Sequence, residues 1–173
     1  MNEAVSADLA ALVAEHYAAV FRYAYRLSGN NADAEDLAQQ VFFAAQRKFD
    51  QLRGPETARA WLFAILRNCF LASRRQAQPQ ALGTELHWDE LPEDAAPPTA
   101  IDSELLQQAL NTLPDEYRVV VLMYYFEECA YREIAEQLAI PVGTVMSRLS
   151  RAKAALRAGL WGTRLKAMLA SGN

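Results

Sequence analysis

With 173 residues, 52% of them hydrophobic, and a formal net charge of −4, the chain has room for one or two small domains. Its apolar content suits packed cores and excludes wholesale disorder. Two cysteines, Cys69 and Cys129, and two histidines, His16 and His87, make no metal-ligand spacing, and no apolar run approaches the ~20 residues of a membrane span. No metal, cofactor or membrane insertion is therefore expected. In the absence of a signal-peptide start, the reading is a cytoplasmic protein with reduced thiols, with oxidant sensing as the alternative.

Residues 8–28 read as a first amphipathic helix, in which Leu9, Leu12, Val13, His16, Val20, Ala24 and Leu27 recur at helical spacing. Ser28-Gly29-Asn30-Asn31 stops it. Asp33-Ala34-Glu35-Asp36 opens a second helix, with acids in the turn where they complement the helix dipole. That helix runs through Leu37, Val41, Phe42, Ala45 and Phe49. Asp50 to Thr57 is a loop broken by Gly54-Pro55, and Thr57 is the candidate cap of a third helix, 58–75. Trp61 sits there among Leu62, Ile65, Leu66, Cys69 and Phe70, which favours a core tryptophan over an exposed stacking one.

Periodicity vanishes between residues 76 and 102, where Pro79, Pro92, Pro97 and Pro98 stand among six acids and no Lys or Arg. So long a structureless stretch is unusual inside one domain, so a boundary is placed here. Four helices are expected beyond it, over 103–113, 114–128, 131–139 and 143–160. Pro114 is tolerated in a first turn. Gly159 with Gly162 is expected to end or kink the last helix, leaving 161–173 as a short tail. The fold class is all-α: two small helical domains, 1–75 and 103–160, joined by a flexible acidic linker, 76–102.

The segment from Tyr131 to Lys153 reads as two short helices joined by a tight turn, a helix-turn-helix whose second member fits a DNA major groove. Ala135 permits a close crossing, Ile140, Val145 and Leu149 supply apolar contacts, and Pro141 with Gly143 turns the chain. Val145, Leu149, Ala152 and Leu156 share one face. Thr144, Ser147, Arg148 and Arg151 point elsewhere, with the hydroxyls and guanidinium forks that reach base edges and phosphates. Charge agrees. Residues 130–173 hold seven basic residues against two acids, and salt screens the acidic remainder beyond a Debye length of about 8 Å.

Four phrases now combine: Asp33-Ala-Glu-Asp-Leu-Ala-Gln-Gln-Val-Phe42, Ala60-Trp-Leu-Phe-Ala-Ile-Leu-Arg-Asn68, Leu113-Pro-Asp-Glu-Tyr-Arg118 and Pro141-Val-Gly-Thr-Val-Met-Ser-Arg-Leu149. In this order and spacing the chain resembles the extracytoplasmic-function (ECF) group of the sigma-70 family, a set of RNA polymerase sigma factors. Residues 8–75 match its region 2, a three-helix-type bundle, and residues 103–160 its region 4. The resemblance implies a promoter-specificity subunit, not an enzyme, that binds core RNA polymerase, recognises the −10 and −35 promoter elements and is held in check by an anti-sigma factor.

It also implies a division of labour. Asp36, Leu37, Gln39, Gln40 and Phe43 would dock on the clamp helices of the polymerase β′ subunit, with Leu37 and Phe43 equally open to a core role. Gln40 stands where the family commonly has Glu or Asp. Leu52, Arg53 and Gly54 would form a pocket for an unpaired −10 base, while Arg59, Arg67, Asn68, Arg74 and Arg75 follow the strand. Thr144, Met146, Ser147, Arg148 and Arg151 would read the −35 duplex, with Arg132 and Lys153 on phosphates. Met146 replaces a common Lys or Arg with a surface suited to a thymine methyl. The acidic linker would either mimic nucleic acid in a basic polymerase channel or act as an extended tether. An operator-binding regulator acting alone would need a dimerisation element, and none is evident. A mimic that merely titrates an inhibitor would have no use for Asn68, Arg148 and Arg151.

Overall fold

The computed structural model describes residues 3–77 and 103–170, with side chains over 8–76 and 103–159. Every regular element among the described residues is helical, and they form two compact units. The acidic segment lies outside the described residues from 78 to 102.

The first unit comprises α1 (Glu3–Ser28), α2 (Asn31–Arg47) and α3 (Ala58–Ala77). Its core is built at helical spacing from Val20, Ala24 and Leu27, from Ala34, Leu37, Ala38, Val41 and Ala45, and from Leu62, Leu66 and Phe70. The fully buried alanines let the backbones approach closely, and larger residues fill the gaps between them. Tyr23 meets Phe63 edge to face, centroids 4.8 Å apart. Gly29, at φ 88, adopts the left-handed conformation that ends α1. Asn30 then caps α2: its Oδ1 accepts from the Asp33 N–H at 2.9 Å, and its Nδ2 donates to Asp33 Oδ2 at 2.8 Å. This cap starts α2 two residues before the expected Asp33. Between α2 and α3 the expected loop contains two short 3₁₀ turns, Phe49–Gln51 and Pro55–Thr57, and the Thr57 hydroxyl donates to the Gly54 carbonyl at 2.9 Å.

The second unit comprises α4 (Ser103–Asn111), α5 (Asp115–Tyr125), α6 (Tyr131–Leu138) and α7 (Val142–Ala170). Its central polar feature is Arg118, only 5% exposed. The guanidinium donates from Nε to the Leu110 carbonyl at 2.9 Å and from Nη2 to the Leu113 carbonyl at 2.8 Å. Asp115 stands 3.5 Å from Nη1. The Leu110 carbonyl, in the last turn of α4, also accepts from the Leu113 N–H at 3.1 Å. The guanidinium therefore adds a second bond there and a donor for the Leu113 carbonyl beyond the helix, at the end of the dipole that favours a cation. Pro114 precedes α5 rather than opening it, and its carbonyl accepts from Tyr117 and Arg118 at 3.0 and 2.9 Å. α5 stops at Tyr125, three residues before the expected Glu128. Glu128 is left-handed, at φ 56, and the Cys129 N–H returns to the Met123 carbonyl at 3.1 Å.

Two expectations for this unit are corrected. The turn between α6 and α7 is made by Ala139, left-handed at φ 53, ψ 44, with the Ile140 N–H closing on the Ala135 carbonyl at 3.0 Å. Gly143 sits instead in the first turn of α7, where an added Cβ would meet open space. The last helix also runs through both glycines to Ala170, so 161–170 continues α7. A helical glycine costs only about 1 kcal/mol. At Gly159 a Cβ would lie 3.7 Å from Ala109 Cβ, so this position faces α4 closely. At the start of α6, Glu133 Oε2 accepts from the Ala130 N–H at 2.7 Å. Ala130 has no side-chain acceptor, so only this half of a capping box exists.

Replacing Ala139 with Gly is expected to stabilise the protein by roughly 0.5–1 kcal/mol, because a left-handed Cβ is removed. Arg118→Met is expected to destabilise it by about 3 kcal/mol, because the Leu113 carbonyl loses its guanidinium donor and the Leu110 carbonyl one of its two donors. Urea unfolding of the two variants checks both signs.

Candidate functional site

Helix α7 presents two unlike sides. Val145, Leu149, Ala152 and Ala155 are buried against the rest of the second unit, whereas Leu156 is only half-buried. Away from that stripe, Thr144, Ser147 and Arg151 fall together at helical spacing. Ser147 and Arg151 are exposed, Thr144 is half-buried, and the Ser147 hydroxyl donates to the Thr144 carbonyl at 3.1 Å. Met146, 52% exposed, lies on a separate flank with Lys153, seven residues on. Arg132 is exposed in the first turn of α6.

Two of the seven expected duplex contacts are held by α5. Arg148 Nη2 is 2.5 Å from Glu116 Oε2. Lys153 Nζ stands over the rings of Tyr124 and Tyr125, at 5.4 and 5.8 Å from their centroids. Glu116 stood within the phrase from Leu113 to Arg118 but was given no role in the sequence; nothing local marks its pairing, because its partner lies two helices away.

In the first unit, Trp61, Asn68 and Arg75 recur every seven residues along the solvent side of α3. Asn68 and Arg75 are exposed and Trp61 is half-buried, which places the indole partly outside the core expected for it. Arg59, exposed, stacks at 5.3 Å over Phe63, and Arg74, half-buried, at 5.2 Å over Phe70. Arg67 departs from its expected place. It is 3% exposed, set between the buried Phe63 and Phe70 at i−4 and i+3, so it belongs to the core edge rather than to a track on the surface. Leu52 and Gly54 are half-buried and Arg53 is exposed, all in the bend between the two 3₁₀ turns.

On α2 the structure separates the two residues left open between core and contact. Leu37 is 5% exposed and belongs to the core, whereas Phe43 is 63% exposed. Asp36, Gln39 and Gln40 are exposed with Phe43, and the Arg47 guanidinium lies 5.9 Å over its ring. A second aromatic group escaped the sequence reading. Tyr17, itself exposed, stacks on Phe21 and Phe42 at 6.2 and 6.0 Å. Its signal was the i, i+4 pair Tyr17–Phe21 on α1.

No group of three potential ligands that could hold a metal ion occurs among the described residues, and no described helix is long and apolar enough to cross a membrane.

Comparison with known proteins gives a consistent picture. Residues 12–80 match the family described as Sigma-70 region 2, and residues 103–156 that described as Sigma-70, region 4. The ECF RNA polymerase sigma factor SigE of Mycolicibacterium smegmatis is 39% identical over 152 residues, which span 84% of this chain and 59% of that protein. SigL of Mycobacterium tuberculosis, also an ECF sigma factor, is 36% identical over 158 residues, 89% of each chain. Among solved structures, the sigma factor RpoE of Bartonella quintana, determined in complex with the anti-sigma factor NepR, is similar with a TM-score of 0.66. Its identity is 27%, and the likeness covers 88% of this chain and 96% of that one.

The two thiols have different surroundings. Burial pushes the Cys69 thiol above its ordinary value of 9.0, with the positive charge of Lys48 pulling it down by less. Cys129 is half-buried, its Sγ 4.0 Å from the Glu127 carbonyl oxygen. The thiolate is the nucleophile, so the protonated form of Cys69 dominates at neutral pH. Iodoacetamide labelling of a Cys129→Ser variant is expected to be slow at pH 7 and still accelerating above pH 9. A plateau below pH 8 would contradict this environment.

Proposed function

The chain belongs to the sigma-70 family, in its ECF group, and on that premise we propose how its two units share the work of a promoter-specificity subunit. The observation that carries the reading is the two-sided α7: a sealed apolar stripe fixes the helix, and Thr144, Ser147 and Arg151 line another face at the start of a helix-turn-helix's second member. Thr144 and Ser147 reach base edges of the −35 duplex, and Arg151 offers two parallel donors to a guanine edge or a phosphate. Met146 flanks them with an apolar surface for a thymine methyl, and Arg132 approaches the backbone.

The first unit takes the −10 element as a single strand. An unpaired base captured outside the stack needs a recess, a flat partner and a donor–acceptor edge. The bend at Leu52, Arg53 and Gly54 supplies the recess, and Asn68 the edge. Arg75 lies on its stripe, with Arg59 and Arg74 beyond. The α2 face of Asp36, Gln39, Gln40 and Phe43 docks on the β′ clamp helices of core polymerase. A large exposed aromatic ringed by polar residues is the usual anatomy of an interface centre. An anti-sigma factor that covers this face would keep the chain off polymerase, and the working location is the cytoplasm. The protein specifies where transcription begins and leaves catalysis to the polymerase.

In vitro transcription with core polymerase on a promoter library tests the assignment. Arg151→Ala is expected to weaken upstream-element readout by about 1–3 kcal/mol, a ~5- to 150-fold loss. Asn68→Ala should leave duplex binding intact and slow opening, read by permanganate footprinting. Phe43→Ala should weaken polymerase binding by about 2 kcal/mol. Normal initiation by all three variants would refute the residue roles.

A further inference from the structure

Glu116 and Arg148 form a close carboxylate–guanidinium pair that bridges α5 and α7, with side chains 30% and 23% exposed. Glu116 lies in the first turn of α5, where the helix N-terminus favours its charge. Arg148 lies beside Leu149 at the border of the buried stripe, between Val145 and Ala152 in helical position. It leans toward α5 rather than onto the face of Ser147 and Arg151. A DNA phosphate reaching Arg148 would have to displace the Glu116 carboxylate or crowd a second anion against it. Arg151, about one turn later, is exposed.

We infer that Glu116 is a positioning residue that holds Arg148 on α5 and keeps it out of the set of duplex contacts. The guanidinium braces the reading helix, and its charge is subtracted from the electrostatic grip on DNA. The consequence is a weaker shared grip. Backbone contacts strengthen binding to every sequence alike, so withholding a cation lowers affinity for promoter and non-promoter DNA together and leaves discrimination to the base contacts. This inference rests on the promoter-binding role proposed for α7.

The test is the salt dependence of promoter binding by the full chain assembled with core polymerase. Fluorescence anisotropy reads it on a library-selected promoter duplex and on a scrambled duplex, between about 50 and 200 mM KCl. Arg148→Gln is expected to leave the slope of log K against log salt unchanged. Glu116→Gln, nearly isosteric, frees the cation and is expected to steepen the slope by about 0.9, the increment for one phosphate contact. It should also tighten binding to scrambled DNA several-fold. The double variant should return to the wild-type slope, which a merely structural role of Glu116 would not produce. A shallower slope with Arg148→Gln, or an unchanged slope with Glu116→Gln, would overturn the inference. Failure of the wild-type assembly to prefer the promoter would instead sink the function proposed for the chain.

Discussion

One buried guanidinium organises the second unit. From the flank of α5, Arg118 hydrogen-bonds the Leu110 carbonyl in the last turn of α4 and the Leu113 carbonyl after it, so these helices are joined by a fork of donors as well as by apolar contact. A rigid, always-charged fork suits this task better than an ammonium, because its donors diverge toward separate acceptors. Everything that α5 does next depends on that registration. Its first turn carries Glu116 to Arg148, and its last turn carries Tyr124 and Tyr125 to Lys153. The reading helix is therefore held at two points by a helix that is itself held by Arg118.

The first unit reaches rigidity by a different route. Ala24, Ala34, Ala38, Ala45 and Ala58 are fully buried, which brings backbones together and makes the bundle intolerant of added volume. Aromatic side chains divide between the two sides: Tyr23, Phe63 and Phe70 are buried. Phe43 and Tyr17 remain exposed on the surface of this packed bundle. An exposed aromatic on a rigid helix loses little entropy on binding, so this arrangement favours a docking face over a flexible surface.

Much of this was legible in the chain, and the failures have physical causes. Helix number and order followed from apolar spacing, and the helix-turn-helix from its length and punctuation. Leu37 and Phe43 were distinguishable in principle: Leu37 falls on the stripe of Ala34, Val41 and Ala45, and Phe43 falls opposite it. Arg67 was legible too, since Phe63 and Phe70 flank it on the buried side of α3, but its charge argued for the surface. The turn misled because glycine is the usual left-handed residue. Gly143 attracted the assignment, while helix geometry forced that conformation on Ala139. α7 passed its glycines because propensity is a weak influence beside tertiary packing. The Glu116–Arg148 pair joins residues two helices apart, and no local pattern encodes such a contact.

That pair changes how the charge of this chain is to be counted. Seven basic residues against two acids beyond residue 129 describe a basic surface only if each cation faces solvent. Two of those cations are turned toward α5, one onto a carboxylate and one onto aromatic rings, while Arg132, Arg151 and Arg157 are exposed. An acidic protein that must find particular duplex sites gains from this economy. Each backbone contact adds affinity that every sequence shares, whereas hydroxyls and a single well-placed fork discriminate. Glu116 thus does more than lower the net charge. It occupies one cation of α7 from the side of α5, and Ser147 and Arg151 remain exposed on another face of that helix.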